Sequence, residues 1–355
     1  MGHVIGDTDF PRRGSMQYWP RSRAMRIYPS IKTVPNLTTN VLTSFSGYKV
    51  GMTHVGVIDN IKTSVTKGQE IMVPVTIIEC PPLNVFSIRF YSWTQNQGYH
   101  IVGQLNADSY DKELSRRITT KSKKGKVSEA KPMTKEEIEK LTNAGSIKRV
   151  SLIVHTNPKA TSIGKKSPEI MEIIIAGEPK GAVQKALSLL GKQVNVNDVF
   201  SEGEQIDIFS VTIGKGFQGS AKRFGVKIGG KRFNHTEKVK RKAMSLGPKS
   251  PRKVQHTVPQ HGQMGFQTRC DYNKWLLKIT EAKNATVKGG FQNYGDPKNT
   301  ILLIKGSIPG PKKRLIRIRK SVRPSDKIPK QAPEIVYISK ESKQWVKYES
   351  RIIKH

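Results

Sequence analysis

The sequence predicts a mainly β protein: a β-barrel interrupted by an α/β insertion and a long basic extension, and preceded by an extended N-terminal arm. Short runs rich in β-branched and aromatic residues, bounded by Gly, Pro or Asn, occur toward both ends of the chain. Helical patterns are found between them, at 105–204. A basic, Gly-rich segment at 214–267 has no long apolar run from which to build a core. Strands on both sides of the two interruptions predict one barrel.

Composition indicates a nucleic-acid partner. The 355 residues include 62 Lys and Arg against 27 Asp and Glu, a net charge of +35, and only 35% are hydrophobic. That length suits two domains, or one domain with large insertions. An anionic membrane surface would require a basic amphipathic helix, whereas the basic residues here lie among Gly and Pro. The sequence predicts no membrane span and no signal peptide.

Two cysteines, Cys80 and Cys270, lie far apart in the sequence. We expect free thiols in a reducing cytoplasm, with a disulfide as the alternative.

Residues 1–45 are predicted to form the extended arm, because prolines interrupt any regular pattern. Arginines surround Tyr18 and Trp19, and Arg forks with aromatic rings suit phosphates and bases of RNA. The alternative is that Tyr18 and Trp19 only fasten the arm to the protein surface. The arginines assigned to RNA contact are Arg12, Arg13 and Arg21.

The first part of the barrel is predicted over 46–104. Pro74 should place part of its second strand at an edge or a bulge. The predicted strands are YKVGMTHVGVI (48–58), IMVPVTIIEC (71–80) and VFSIRFYSW (85–93).

The α/β insertion is predicted over 105–204. Thr134, followed by acids, is a helix N-cap, and Gly191 is expected as a C-cap. Helices are predicted at 111–118, 133–145 and from Pro179 to Leu190, and strands at 148–155 and 169–177.

The barrel resumes with a strand at 205–213 and continues over 268–335. In 314–320, Ile316 and Ile318 alternate with Arg317 and Arg319, which predicts an inward apolar face and an outward basic face. Residues 336–355 form a C-terminal tail without a clear pattern. The remaining predicted strands are 275–280 and 301–308.

The extension at 214–267 holds most of the local charge. Residues 211–270 carry fourteen basic side chains and one acid, Glu237, a net charge of +13. Such a segment repels itself unless a polyanion runs alongside it. Gly214-Lys-Gly-Phe-Gln-Gly219 satisfies the G-x-G-x-x-G pattern, but a dinucleotide site needs an amphipathic helix directly afterwards. Here further glycines follow, so we interpret them as allowing close approach of backbone to RNA.

No other motif indicates catalysis or metal binding. None of the eight histidines pairs with a cysteine at a metal-ligand spacing, and no nucleophile elbow, Walker loop or HExxH motif is present. His256 and His261 lie in a Pro- and Gly-flanked loop, where they are expected to contact phosphates or bases. The sequence therefore predicts no enzyme, no metal, no cofactor and no small-molecule substrate.

Four ordered stretches carry a family resemblance. GYKVGMTHV (47–55), GKGFQGSAKRFGVK (214–227), residues 245–279 and LLIKGSIPGPKKRLIRIR (302–319) together resemble the L-three family of large-subunit ribosomal proteins, in its archaeal and eukaryotic form. The resemblance implies a translation-protein type β-barrel and an extension that reaches through ribosomal RNA (rRNA) toward the peptidyl transferase centre. It also implies a role in early subunit assembly, no catalysis, and neighbouring ribosomal proteins as partners in the cytoplasm.

The expected rRNA contacts come from this resemblance and from charge. By resemblance they are Arg12, Arg13, Arg21, Gly214, Lys215, Gly216, Phe217, Gly219, Lys222, Arg223, Pro259, Gln260, Gly262, Gln263, Gly265 and Arg269. By charge and position in the extension they are Lys227, Lys231, Arg232, Lys240, Arg241, Lys242, Lys249, Arg252, Lys253, His256 and His261.

One stretch departs from the family pattern. Archaeal and eukaryotic members usually carry Gly-Pro-Trp followed by His or Asn and Pro at the extension tip, where this chain reads Gly247-Pro-Lys-Ser-Pro251. A cation replaces the aromatic ring, so we expect electrostatic contact from Lys249 instead of stacking. Two other functions remain open at this point: an RNA-modifying enzyme that uses GKGFQG for a cofactor, and a chromatin-type DNA binder. The Gly-rich loops lack a recognition helix for the major groove, which counts against the DNA binder.

Overall fold

The computed structural model describes residues 13–109, 111–118, 133–226, 246–247, 250 and 252–341. The chain divides into two compact units. The first, here called the arm–extension unit, comprises Met1–Arg26 and Val211–Thr268. The second, the ring-and-sheet unit, comprises Ile27–Ser210 and Arg269–His355.

The described residues are mainly in strands. The strands are β1 (Ser44–Ile58), β2 (Glu70–Glu79), β3 (Leu83–Thr94), β4 (Gly98–Asn106), β5 (Arg149–His155), β6 (Ile170–Ile175), β7 (Gln193–Val194), β8 (Gln205–Val211), β9 (Phe217–Gln218), β10 (Gly262–Gln263), β11 (Thr268–Thr280), β12 (Ile301–Lys305), β13 (Leu315–Lys320) and β14 (Ile335–Ile338). The α-helices are α1 (Lys135–Asn143), α2 (Pro179–Leu189), α3 (Ser220–Phe224) and α4 (Ala282–Ala285). Short 3-10 helices occupy Met16–Tyr18, Lys112–Arg116, Pro158–Ala160 and Val196–Asp198.

Six strands of the ring-and-sheet unit close on one another. Their order is β13-β8-β11-β12-β2-β1, and β1 also pairs with β13, so the ladder forms a ring. In that closing pair Phe45 lies opposite Ile318 and Gly47 opposite Ile316. A Cβ on Gly47 would lie 2.6 Å from the sulfur of Cys80, so glycine is required where the strand is this crowded. The strands predicted on either side of the insertion and the extension therefore do share one sheet.

A second sheet of five strands lies in the same unit, in the order β4-β3-β5-β6, with β7 also paired to β3. The predicted cap of α1 is confirmed: Thr134 Oγ1 accepts from Glu137 N at 3.4 Å, and Thr134 N donates to the Glu137 carboxylate at 3.0 Å. In α2 the C-cap is Leu190, and the predicted Gly191 follows it with φ +74°. Gly191 thus supplies the left-handed turn one residue beyond the cap.

The pairing differs from the predicted division of the chain. β3 belongs to the five-stranded sheet, although its residues were grouped with the first part of the barrel. β4 was not predicted from the sequence, because its residues are all at least partly exposed and show no clean alternation. The segment predicted as a helix at 111–118 is a 3-10 helix, Lys112–Arg116. β14 lies at the start of the predicted tail and pairs with β1.

Pro74 lies in β2, which is an interior strand of the ring sheet. The pairing of β2 with β12 ends at Val75, opposite Lys305, whereas Pro74 pairs with His54 of β1 on the other side. Pro74 O still accepts from Gly306 N at 2.8 Å, and the residues of β2 before Pro74 pair only with β1 among the described strands. This end of β2 therefore resembles the predicted edge, where proline, which has no N–H, is tolerated.

One hydrophobic core joins the ring to the five-stranded sheet. Phe45 and Ile77 of the ring and Phe90 and Leu152 of the sheet belong to the same buried cluster. Tyr48 adds a polar link, because its hydroxyl donates to the Glu169 carboxylate at 2.7 Å. Burial and the neighbouring carboxylate raise the pKa of Tyr48 well above its ordinary value, so it remains a donor.

The predicted outward basic face of β13 is wrong. Arg317 and Arg319 are only 2% and 3% exposed. They are covered by the chain segment before β1, which includes Pro29 and Thr33, and by β6. The Arg317 guanidinium donates to Glu172 O at 2.5 Å and to Pro29 O at 3.5 Å. Burial lowers the pKa of Arg317 to about 10, so it stays charged at neutral pH.

Arg319 forms a buried ion pair. Its guanidinium donates to the Asp207 carboxylate at 2.5 Å and to Thr33 O at 3.0 Å, and the carboxylate also accepts from Asn273 N at 3.1 Å. Strict alternation did predict the apolar partners Ile316 and Ile318, which are fully buried. It could not predict that a second layer covers the opposite face.

Both cysteines are free, as predicted: Cys80 is buried and Cys270 is half-buried. No helix among the described residues is long and apolar enough to cross a membrane.

We predict that Asp207→Asn destabilises the ring-and-sheet unit by about 3–5 kcal/mol, because it leaves the Arg319 charge buried without its counter-charge. Chemical denaturation followed by near-ultraviolet circular dichroism measures this change. The matched control is Glu113→Gln, which removes the ion pairs with Arg116 and Lys159, whose side chains are 50% and 71% exposed. That change should destabilise the unit much less, because solvent screens ion pairs at the surface. Equal effects of the two substitutions would contradict the role given to the buried pair.

Candidate nucleic-acid interface

Two segments of the arm–extension unit pair through their backbones. Residues 212–218 run antiparallel to 262–267 and end in the short β9–β10 pair, in which Phe217 lies opposite Gln263. Between them, Lys215 N donates to Met264 O at 3.0 Å and Met264 N donates to Gly216 O at 2.9 Å. The two ends of the extension therefore bind each other without a hydrophobic core.

Glycine is required at the crowded point of this ladder. Gly265 has φ +68°, and a Cβ there would lie 2.1 Å from Ile213 O and 2.9 Å from Lys215 N. Gly216 has a similar φ of +67°, but nothing lies within 4 Å of its Cβ position. The glycines of this segment thus serve backbone geometry first.

A short helix, α3, follows the G-x-G-x-x-G loop. No helix was predicted here from the sequence, but the structure has a helix five residues long, Ser220–Phe224. It ends at Gly225, which has φ +68° in the left-handed region. This single turn lacks the length and the apolar stripe of the helix in a dinucleotide-binding unit.

An aromatic cluster attaches the arm to the extension. The Trp19 ring stacks on Phe224 with centroids 5.6 Å apart and an interplanar angle of 28°. The Arg21 guanidinium lies 4.2 Å from the Phe224 centroid. Phe224 is 5% exposed, and a Cβ on Gly14 would lie 2.6 Å from its ring. Trp19 therefore fastens the arm to the extension, whereas Tyr18 is 46% exposed.

Arginine side chains reinforce the cluster through backbone carbonyls. Arg223 Nε donates to Gln263 O at 3.0 Å, and its two terminal nitrogens donate to Gln260 O at 3.2 Å and Arg21 O at 3.3 Å. Arg21 returns a bond of 2.7 Å to Arg223 O. Partial burial lowers the pKa of Arg223, although an arginine remains charged at neutral pH. Two arginines expected to face RNA thus also hold the unit together.

A second contact fixes the end of the arm. Ala24 N donates to Phe266 O at 2.8 Å, and the Arg23 guanidinium lies 5.7 Å from the Phe266 centroid. The sequence reading did not single out Phe224 or Phe266. The sequence did contain a signal for both residues: each is an apolar side chain within a basic or Gly-rich run, where apolar side chains are rare.

The cations of the arm–extension unit are not balanced by acids within it. Its described residues contain no Asp or Glu. Lys215, Lys222, Arg252 and Lys253 are exposed, as is Phe217, whose ring is 5.2 Å from His261. Cations beside open aromatic rings can bind phosphates and stack on bases. The described basic residues are Arg13, Arg21, Arg23, Arg26, Lys215, Lys222, Arg223, Arg252 and Lys253.

The other predicted contact positions fall into three groups. Gly214, Gly262, Gln263 and Gly265 lie in the ladder, and Gly219, His256, Pro259 and Gln260 lie elsewhere in the arm–extension unit. Arg269 is half-buried and begins the second segment of the ring-and-sheet unit. Outside the described residues lie Arg12, Lys227, Lys231, Arg232, Lys240, Arg241, Lys242 and Lys249.

Among the described residues, no three His, Cys, Asp or Glu side chains are grouped closely enough to hold a metal ion.

Comparison with known proteins gives a consistent result along the chain. The family model described as Ribosomal protein L3 matches residues 5–345. A curated relative from Methanocaldococcus jannaschii, named large ribosomal subunit protein uL3, is 44% identical over 338 residues, covering 94% of this chain and 97% of the relative. Relatives with the same name from Methanopyrus kandleri and Archaeoglobus fulgidus are 41% and 43% identical; the alignments cover 95% and 94% of this chain, and 92% and 98% of those proteins.

The match extends over both the ring-and-sheet unit and the arm–extension unit. At these identities and this coverage, the resemblance first carried by four stretches of sequence applies to the whole chain. The chain belongs to the ribosomal protein L3 family, in its archaeal form, and is a structural component of the large ribosomal subunit with no enzymatic role.

Proposed function

We propose that this protein binds large-subunit rRNA through the arm–extension unit and thereby supports early assembly of the subunit in the cytoplasm. The observation that supports this most directly is the absence of any acid among the described residues of that unit, which carry nine basic side chains. Cations without counter-charges release counterions from RNA phosphates on binding, which gives affinity without catalytic groups. Exposed rings such as Phe217 add stacking that tolerates any base.

The extension between the two ladder segments is the part that reaches toward the peptidyl transferase centre in this proposal. The ladder and the aromatic cluster hold its two ends and the arm together before RNA is bound, so less conformational entropy is lost on binding. The ring is inferred to be a translation-protein type β-barrel that anchors the protein in the subunit. Neighbouring ribosomal proteins are its other proposed partners.

We expect deletion of residues 220–262 to abolish stable incorporation into large subunits while the ring-and-sheet unit stays folded. The reason is that the hydrophobic clusters formed by the described residues of that unit include no side chain from the deleted segment. Circular dichroism checks folding, and sedimentation after a high-salt wash checks incorporation. Normal sedimentation of the shortened chain with large subunits would refute the proposal.

Charge removal from the unit should weaken rRNA binding in a salt-dependent way. Replacing four of the exposed cations of the unit by Gln should reduce the slope of log affinity against log salt by roughly 0.7–0.9 for each phosphate that the protein no longer neutralises. Filter binding to purified large-subunit rRNA measures the slope. The replaced residues are Lys215, Lys222, Arg252 and Lys253.

The matched control removes the same charge from exposed lysines of the ring-and-sheet unit. It should change the slope much less, and an equal change would show that binding follows net charge alone. The control residues are Lys62, Lys67, Lys283 and Lys330.

The aromatic cluster is tested with Trp19→Ala. Loss of the ring stacked on Phe224 should release the arm, so trypsin should cleave after Arg21 and Arg23 at least several-fold faster than in the unaltered chain, because an aromatic pair contributes about 0.5–1.5 kcal/mol beyond the area that it buries. Trp19→Phe keeps a ring and should restore slow cleavage. If both variants are cleaved at the original rate, the cluster does not hold the arm.

A further inference from the structure

A pair of exposed aromatic side chains lies on the five-stranded sheet. Trp93 of β3 and Tyr99 of β4 lie directly opposite each other in the ladder and therefore project from the same face. They are 52% and 48% exposed. Large aromatic rings left half in water on one sheet face, side by side, are typical of a binding surface.

An arginine from the next strand extends this pair. Arg149 of β5 lies opposite Tyr91, two residues before Trp93, and so shares the same face. Its guanidinium lies 3.7 Å from the centroid of the Tyr99 ring. Stacked in this way, the guanidinium is held in place while its edge remains available to an acceptor such as a phosphate.

The same Arg149 also lines an open cleft of about 500 Å³. The cleft lies between the chain segment 32–38 and the ends of β5 and β6, within the ring-and-sheet unit, and Lys32 and Lys148 line it as well. Both lysines are exposed. No Asp or Glu lines it among the residues that the structure describes. The volume is within the roughly 300–1,000 Å³ of ligand pockets.

The carboxylate of Glu172 lies on this face, opposite Ile153 in the pairing of β5 with β6, and it is hydrogen-bonded. Glu172 accepts from the Tyr91 hydroxyl at 2.5 Å and from the Ser151 hydroxyl at 2.5 Å. Glu172 does not line the cleft, and its charge interacts with the buried Arg317.

We infer that this surface is a second RNA site, at which an unpaired nucleotide stacks on Tyr99 and Trp93 while its backbone phosphate lies in the cleft beside Arg149, Lys32 and Lys148. Charge complementarity favours RNA over a protein strand, because a protein partner would have to supply acids to three cations. The inference rests on the proposed function in taking rRNA as the ligand. None of these residues belongs to the contact set predicted from the sequence.

Ultraviolet crosslinking of purified large subunits, followed by mass spectrometry of the peptides, tests the site in place. The expected result is a nucleotide adduct on Trp93 or Tyr99. Adducts confined to the arm and extension would overturn this second site and leave the proposed function standing. Absence of the chain from large subunits would refute the proposed function itself. A protein crosslink from Lys148, with no nucleotide adduct on Trp93 or Tyr99, would assign the surface to a protein partner and overturn the inference.

A binding measurement separates stacking from charge. The full chain is titrated into a fluorescent uridine dodecamer at about 0.5 M salt, where contacts made by charge alone are weak. Trp93→Ala with Tyr99→Ala should weaken binding roughly fivefold to a hundredfold, the range expected for loss of one stacked base. Tyr337→Ala is the control, since that side chain is 43% exposed on β14 and lies outside the surface. The affinity of the Tyr337→Ala variant for the RNA should change less than twofold. Equal losses of affinity in the control and in the double variant would overturn the inference.

Discussion

The stacking of Trp19 on Phe224 is the contact on which the arm–extension unit depends. The described part of that unit has nine cations and no carboxylate, so no ion pair can offset their mutual repulsion within it. Attraction must come from apolar packing, from arginine over an aromatic ring, and from hydrogen bonds to backbone carbonyls. Phe224 is the point at which these meet, because Trp19 and Arg21 both contact its ring. The unit can remain assembled while its charge stays available to a polyanion.

Arginine has two distinct uses in this chain. On β13, Arg317 and Arg319 are buried and donate to carbonyl oxygens of Glu172 and Thr33, so they join the ring to the layer that covers it. In the arm–extension unit, Arg223 donates to three carbonyls but has no acid partner among the described residues. The first use is structural, because the guanidinium groups are buried and their acceptors belong to the protein itself. The second positions backbone while leaving the field of the guanidinium uncompensated, which suits a surface that binds phosphates.

Elements with strong local signals could be predicted from the sequence. The Thr134 cap and the strand containing Ile316 and Ile318 follow from side-chain chemistry and period alone. The burial of Arg317 and Arg319 could not be predicted, because alternation does not show whether a second layer covers the polar face. β4 was missed for a related reason: an edge strand with both faces partly exposed has no clean period. Prediction of the candidate site was limited in the same way. Charge and family resemblance indicated the basic extension, but not that Arg21 and Arg223 bind each other's backbone across about 200 residues of chain.

Hydrogen exchange of the free, full-length protein shows whether the arm–extension unit is assembled before it meets RNA. The informative amides are those of Lys215 and Met264 in the ladder and of Ala24 in the arm, since all three donate to backbone carbonyls within the unit. We expect clear protection of these amides without RNA. Exchange at the rate of an unstructured peptide, with protection gained only after RNA is added, would contradict an assembled unit.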